Sequence, residues 1–446
     1  MRSLVFIASH IGYPMEKTPL GGGAMVGLQL IRHWPKDGDC KLIVLGSGPE
    51  SPDTGIEYVQ LPAPGPHPAP IKLSELEYAR FCRDFETGTT DWLLAQGHRL
   101  PPGKTCVMVN DVAEGPDVER ISKAGYPIVS LWHVDVVDYF NKLYLRSIVR
   151  PESLTALYER SRRLGMHWVI PDMLQIIFEK QRNTVVYSDL MIMPSSTMAS
   201  TVARCYGYLG KDEAEVRTKT EVLPWGMWEH GVSDAASETA AVSLREHYQI
   251  TPKTTVLMTL SRIAPEKGLH LLLRALKILE EDGRLAGRDV CVLMAGEPAF
   301  MQGAAYMRLV QADSAALKSV RVFFPGYLAA PEKAAFFKVS DIFVSPSVHE
   351  SYGLNVVEAM QAGMAILASD HYGVRDVVDP SFGRVVHYPS PAKAPERLAG
   401  ALVELMADPE RLREMGRNAE AAAKGMPFKD TAAKVLDRAL SLLKGD

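Results

Sequence analysis

Two short stretches of this chain hold residues whose types and spacing suit a phosphorylated ligand. The first is Ser261-Arg262-Ile263-Ala264-Pro265-Glu266-Lys267-Gly268, which follows an apolar run at 255–260 and precedes a helical pattern. An arginine at a strand's carboxyl end can fork onto two phosphate oxygens, and a lysine five residues on supplies a mobile point charge. Gly268 lets the backbone come close as the helix begins. The same residues also suit a plain surface turn, because basic side chains at loop ends are common. The second stretch runs from Ser345 to Met360, directly behind the apolar run 342–344. Its Gly353 can open a helix whose first N–H groups and dipole favour a phosphate. Glu358 lies four residues past Leu354 and shares its helix face, where a carboxylate can accept from a ribose diol. Glu350 sits in the loop before the helix, within reach of sugar hydroxyls. Two glutamates eight apart mean little alone and also suit a solvated capping loop; the surrounding string gives the signal.

A third candidate is His133, in Leu131-Trp132-His133-Val134-Asp135. A lone histidine at a strand end is more often structural than catalytic. Asp135 and Asp138 raise the question of a metal-binding acidic pair, and a turn or an acceptor contact is the alternative reading of Asp135. The five cysteines are scattered and odd in number, with no CxxC pair, so neither a zinc ribbon nor a disulfide framework is indicated. Reduced thiols in a cytoplasmic protein are expected.

These residues need a scaffold, and the periodicity supplies one. Short, mainly apolar runs at 4–8, 42–45, 56–61, 105–109, 128–132 and 190–193 alternate with helical patterns. A second series follows at 255–260, 290–295, 320–324, 342–344 and 365–368. All-apolar strands separated by helices are the mark of a doubly wound parallel sheet. The expectation is an α/β protein of two Rossmann-like halves, with a ligand cleft at the carboxyl ends of their strands. The proline-rich stretch 62–70 reads as an extended surface connection. Residues 138–183 form a long helical insertion rich in arginine and aromatics, either a solvated basic face or a surface for acceptor or membrane. Residues 233–238, small and polar, read as a linker, and 394–444 as nearly all helix.

Composition narrows the function classes. The chain has 446 residues, 49 Lys and Arg against 53 Asp and Glu, and a formal charge of −4. Phosphate-tracking proteins usually carry a basic excess, so nucleic acid is not expected as a partner. No run reaches the ~18 apolar residues of a membrane-spanning helix; peripheral membrane contact stays open. A soluble acceptor is favoured, because no obvious amphipathic anchor stands out. A nicotinamide dehydrogenase would need G-x-G-x-x-G after its first strand, and Gly21-Gly22-Gly23 does not have that spacing.

Taken together, Arg262, Lys267 and the E-x7-E pattern of Glu350 and Glu358 make the chain resemble the retaining glycosyltransferases of family 4, which have the GT-B fold. Gly21-Gly22-Gly23 resembles that family's glycine loop, and Met294-Ala295-Gly296-Glu297 its G-[DE] turn. Trp225 stands in place of an asparagine in Pro-Asn-Gly, and Met364 in place of a proline. The resemblance implies a donor-binding set of Gly22, Gly23, Arg262, Lys267, Glu350, Ser351, Tyr352, Gly353, Leu354 and Glu358. Arg262 and Lys267 would hold the diphosphate, Glu358 the ribose and Glu350 the hexose. It also implies that His133 faces the sugar, giving a catalytic set of His133, Arg262, Lys267 and Glu350. Asp135, Tyr139 and Arg146 are expected on the acceptor side.

The implied activity is transfer of a hexose from a nucleotide diphosphate sugar, UDP-glucose by preference, to a hydroxyl acceptor by same-face displacement. No metal or cofactor is expected. A nucleotide-sugar epimerase and a non-catalytic sugar-nucleotide-binding protein are the alternatives. The implied layout is a first domain at 1–228, a nucleotide-sugar domain at 229–425 that closes with it around the donor, and a crossover helix at 426–446. Sequence specifies neither acceptor nor oligomeric state.

Overall fold

The computed structural model describes the whole chain except residues 1, 15–20, 36–39, 54, 64, 66–67, 71–72, 146–147, 208–212, 229–233, 300–301 and 444–446. The chain divides into two compact units, one of Met1–Trp225 with Phe428–Asp446, the other of Gly226–Pro427.

Unit 1 is built on seven parallel strands: β1 (Arg2–Ile7), β2 (Cys40–Gly46), β3 (Glu57–Gln60), β4 (Thr105–Val109), β5 (Ile128–Leu131), β6 (Leu190–Met193) and β7 (Thr220–Val222), in the order β3-β2-β1-β4-β5-β6-β7. Every residue of β4 and β5 is buried, which explains their largely apolar sequences. Val5, Ile7, Phe85, Val107, Val109 and Ile121 form the core beneath the helix Glu75–Ala95. The final helix, Phe428–Ser441, belongs to this unit. Its Phe428 ring lies 5.5 Å from His33, and Arg438 forms a 2.7 Å ion pair with Glu221.

Unit 2 has six parallel strands: β8 (Thr254–Leu260), β9 (Asp289–Ala295), β10 (Val320–Gly326), β11 (Ile342–Ser345), β12 (Ala365–Ser369) and β13 (Gly383–Val386), in the order β10-β9-β8-β11-β12-β13. Helices Leu269–Glu281 and Ala394–Met406 lay Leu272, Leu276, Leu398 and Leu402 over Val292 and Met294 to form its core. In both sheets the strand order reverses at the centre, between β1 and β4 and between β8 and β11. Such reversals leave a crevice at the strands' carboxyl ends, the usual ligand site of this architecture.

The structure corrects and extends the sequence reading at several places. The stretch expected as a linker begins the helix Asp234–His247, and its Ser233 lies outside the described residues. Small polar residues favoured at a helix start precede an alanine-rich run that propagates it, and that composition resembles a linker's. Strands β7 and β13 were not anticipated; both are short sheet edges of three and four residues, with too little pattern to read. Of the expected extended segment at 62–70, residues 64, 66 and 67 lie outside the described residues. The insertion at 138–183 resolves into helices Val136–Tyr144, Pro151–Arg163 and Asp172–Tyr187 between β5 and β6.

Glycines fix the turns at the unit 2 crevice. Gly268 has φ +63°, and a Cβ there would stand 2.1 Å from the Pro346 carbonyl oxygen. Gly283 has a similar φ of +69° but open space around it. Gly283→Ala should therefore cost only the left-handed penalty of ~1–2 kcal/mol. Gly268→Ala should cost about 3 kcal/mol or more, since backbone must also move. Urea unfolding of the unit 2 transition compares the two; equal losses would show that the loops part freely.

Candidate functional site

Unit 2 brings the two sequence motifs together. Arg262 and Lys267 leave the end of β8, and Glu350 to Gly353 leave the end of the neighbouring β11. The loops are tied by backbone: the Val348 N–H donates to the Glu266 carbonyl at 2.8 Å. The Asn355 side chain donates to the Leu260 carbonyl at 2.7 Å, pinning the next helix to the end of β8. That helix, Leu354–Gln361, is capped by Gly353 at φ +88° and has no acid in its first turn. Its positive end is thus presented at the strand ends, suited to an anion. Gly373 allows the loop to pack, since a Cβ there would meet the Tyr352 Cα at 2.3 Å.

The charged side chains are matched in pairs. Lys267 Nζ lies 2.7 Å from Glu350 Oε2, both mostly buried. Lys333 Nζ lies 2.7 Å from Glu358 Oε1, again both mostly buried. Arg262 lies 3.5 Å from Glu266 and remains about a third exposed. Glu358 also lines a small recess with Gly226, Trp228, Leu354 and Val357. Lys333, Glu266 and Trp228 were missed by sequence reasoning. Lys333 sits 25 residues before Glu358 on another helix, Ala330–Lys338, so no local spacing could reveal the pair. Ser351 is half-buried, whereas the Tyr352 ring is buried in the core, its hydroxyl pKa raised by burial. Tyr352 can therefore contribute main chain to a site here, not its ring.

Unit 1 has its own polar constellation at the β1/β4 reversal. Asn110, fully buried just past β4, donates to the Gly23 carbonyl at 3.2 Å, and its Oδ1 lies 3.1 Å from His133 Nε2. A Cβ on Gly23 would stand 2.8 Å from the His133 ring, so the glycine loop and this histidine meet only because position 23 has no side chain. Gly22 is the first residue of the helix Gly22–Arg32. The Trp225 ring is fully buried and packs 5.5 Å from His133. That packing gives Trp225 a structural role beside the histidine. Burial lowers the His133 pKa to about 4, leaving a neutral imidazole at neutral pH.

Beside it lies a cluster that sequence reasoning did not find. His10, past β1, is 3.3 Å from Glu114, and Tyr78 donates a short hydrogen bond to the same carboxylate. Burial opposes charge on His10, yet the hydrogen bond and charge of Glu114 outweigh it and leave its pKa raised. For Glu114 burial acts upward, but His10 draws it below the usual range. Asp111 is raised to about 6 by burial and by Glu114. These residues are spread over positions 10 to 114 without a shared motif; only the sheet order unites them.

The acceptor-side residues fare differently. Asp135 is fully buried and caps the helix Val136–Tyr144, accepting from the Asp138 N–H at 3.1 Å and from Gln181 at 2.9 Å. Its pKa is raised to about 6 by burial and Asp138. Asp135 is thus a capping residue, not an acceptor contact. Asp138 pairs with Lys142 at 2.9 Å. Tyr139 is half-buried on the same helix, and Arg146 lies outside the described residues. Among the described residues, no group of three or more His, Cys, Asp or Glu is placed to hold a metal.

Comparison with known proteins bears on this arrangement. The chain superposes on sucrose-phosphate synthase from Thermosynechococcus elongatus with a TM-score of 0.68 at 17% identity, covering 100% of both chains. Anabaena HepE, solved in complex with UDP and glucose, gives a TM-score of 0.65 at 15% identity over 99% of this chain and 100% of that one. The fold is GT-B. Residues 243–422, within unit 2, match the family described as glycosyl transferases group 1. Alpha-maltose-1-phosphate synthase of Mycolicibacterium smegmatis is 31% identical over 245 residues, 53% of this chain and 58% of that protein. D-inositol 3-phosphate glycosyltransferase of Nocardia farcinica is 27% identical over 264 residues, 58% of this chain and 53% of that protein. The chain thus spans little more than half the length of these curated relatives.

The His133 environment makes a pH dependence testable. Its folded pKa, about 4, lies below the ordinary 6.5, so the unfolded chain binds more protons between those values. Stability should therefore fall as pH drops from 6.5 to 4, with His133 contributing on the order of 1–3 kcal/mol. His133→Asn, which cannot titrate, should flatten the unit 1 stability profile in that window. Parallel wild-type and variant profiles would refute the assignment.

Proposed function

We propose that the protein is a retaining glycosyltransferase that moves a hexose from a nucleotide diphosphate sugar to a hydroxyl acceptor without a metal, with UDP-glucose as donor. The observation that carries this reading is the convergence, at the β8/β11 reversal, of Arg262, Lys267, the Gly353 helix terminus and the carboxylates Glu350 and Glu358. The GT-B fold, the names of the curated relatives and the HepE complex with UDP and glucose support it. A cytoplasmic setting fits five free, buried cysteines.

In this reading the glycosyl–phosphate bond breaks as negative charge grows on the diphosphate and positive charge on the anomeric carbon. Arg262, Lys267 and the N–H groups of Gly353 and Leu354 stabilise the leaving charge; prearranged donors of this kind are worth ~3–4 kcal/mol each in other enzymes. Glu350 holds hexose hydroxyls and Glu358 the ribose diol. The acceptor hydroxyl attacks from the face the diphosphate leaves, forming the new C–O bond. Its proton passes to the leaving phosphate oxygen. His133, neutral and hydrogen-bonded to Asn110, keeps the sugar-facing role that the family resemblance gives it.

Lys333 acts in this scheme as a positioning residue that fixes the Glu358 carboxylate. The first test is thermal stability with UDP, GDP, ADP and their hexose conjugates. A ligand at 100 times its Kd should add ~2.7 kcal/mol. The shift should come from UDP and its hexose conjugates and disappear in Arg262→Ala and Glu358→Ala. Absence of any shift would sink the reading. Lys333→Met should weaken UDP about ten-fold, reduce the preference for UDP over 2′-deoxy-UDP, and be rescued by Lys333→Arg. An unchanged preference would limit Lys333 to a structural role. Release of an altered free sugar without acceptor would instead identify an epimerase.

A further inference from the structure

The helices between β5 and β6 carry a surface unlike the rest of the chain. Of fourteen large apolar side chains that stand exposed among the described residues, eight lie within Tyr144–Val169. Ile148 is 84% exposed and Trp168 74%; Leu157 and Leu164 are each 65%. Single exposed apolar residues are ordinary, but such a concentration marks an interaction surface.

The helix Pro151–Arg163 organises it. Its inner face is anchored by buried Thr155, Tyr158 and Glu159, with the Tyr158 ring stacked 5.1 Å from Phe178. Leu157, Arg160 and Leu164 recur three and four residues apart, so they share the outer face. At ~1.5 Å per residue this helix is roughly 20 Å long, and exposed apolar residues flank it at both ends, Ile148 and Val149 before it and Met166 and Trp168 after it. The charge is equally local. Residues 142–169 hold six Lys and Arg against two Glu, a balance of +4 in a chain whose total is −4. Glu159 already binds Arg162, Arg163 and Arg182, while Arg150 and Arg160 are exposed beside the apolar residues.

We propose that this face docks on an anionic lipid surface, the helix lying in the headgroup plane with Ile148 and Trp168 reaching the acyl boundary and Arg150 and Arg160 on lipid phosphates. An apolar stripe with basic flanks and interfacial tryptophan is the recognition chemistry of such a surface, and exposed Arg150 and Arg160 supply the complementary charge. The inference is independent of the glycosyl-transfer reading. It would place the protein at a membrane although, among the described residues, no helix is long and apolar enough to cross one.

The test is flotation of the full chain with vesicles of phosphatidylcholine alone and vesicles containing about a third phosphatidylglycerol. The protein should float with the anionic vesicles, bind the neutral ones far less, and be released by salt. Arg150→Gln and Arg160→Gln should each lower partitioning about five-fold. Ile148→Ser with Trp168→Ser should lower it about ten-fold or more. These positions are solvent-exposed, so an unchanged thermal transition confirms that the variants fold. Failure of the wild type to float, or flotation that none of the variants alters, overturns the proposal. A self-association that Ile148→Ser and Trp168→Ser abolish, without any effect on flotation, would assign the face to a second copy of the chain and equally overturn it.

Discussion

The unit 2 site depends on the close apposition of two backbone loops. The Val348 N–H reaches the Glu266 carbonyl, and Gly268 sits against the Pro346 carbonyl where a Cβ would collide. Hydrogen bonding and the absent side chain act together, because the contact leaves no room for anything larger than hydrogen. Through it Lys267, on one loop, comes within 2.7 Å of Glu350 on the other. Separate the loops by an ångström or two and that pair, the Gly353 helix start and the Asn355 tie to β8 all lose their common frame. The local spacing of charges is thus a consequence of backbone packing at the point where the strand order reverses.

The two units solve the same problem with different electrostatics. In unit 2 cations meet carboxylates directly, so each carboxylate is oriented by the cation beside it. In unit 1 burial prevails: His133 is kept neutral, and Asp111 is pushed toward protonation near neutral pH. The first arrangement suits stabilisation of a fixed negative charge. The second suits groups that exchange hydrogen bonds with uncharged hydroxyls. Trp225 contributes by walling one side of His133, which removes water that would otherwise favour the imidazolium.

How much of this could be read from sequence differs by element. Buried strands such as β4 and β9 are legible because both faces are covered and the run is apolar beyond its first residue. Edge strands β7 and β13 are not, since three or four half-covered residues carry no period. Arg262, Lys267, Glu350 and Glu358 stand out because each pair lies within one loop and its following helix. Lys333, Asn110 and the His10–Glu114 pair do not, because they meet their partners across 23 to 104 residues and only the sheet order brings them together. Asp135 shows the opposite failure. An aspartate one residue before a helix is as suited to capping as to catalysis, and burial, which sequence does not display, decides for the cap.

The return of the final helix to unit 1 has a consequence for how the protein is made. Unit 2 is a single uninterrupted segment, Gly226–Pro427, whose ends meet: the Met227 N–H donates to the Met426 carbonyl at 2.7 Å. It is in effect a domain inserted into another, and a ribosome releases all of it before the last piece of unit 1 exists. Until Ala432 and Val435 arrive to face Leu4, Phe6 and Met108, unit 1 carries an uncovered apolar surface. Unit 1 therefore starts before unit 2 and is completed after it, and until then its nascent form exposes an apolar face of the kind that favours misassembly.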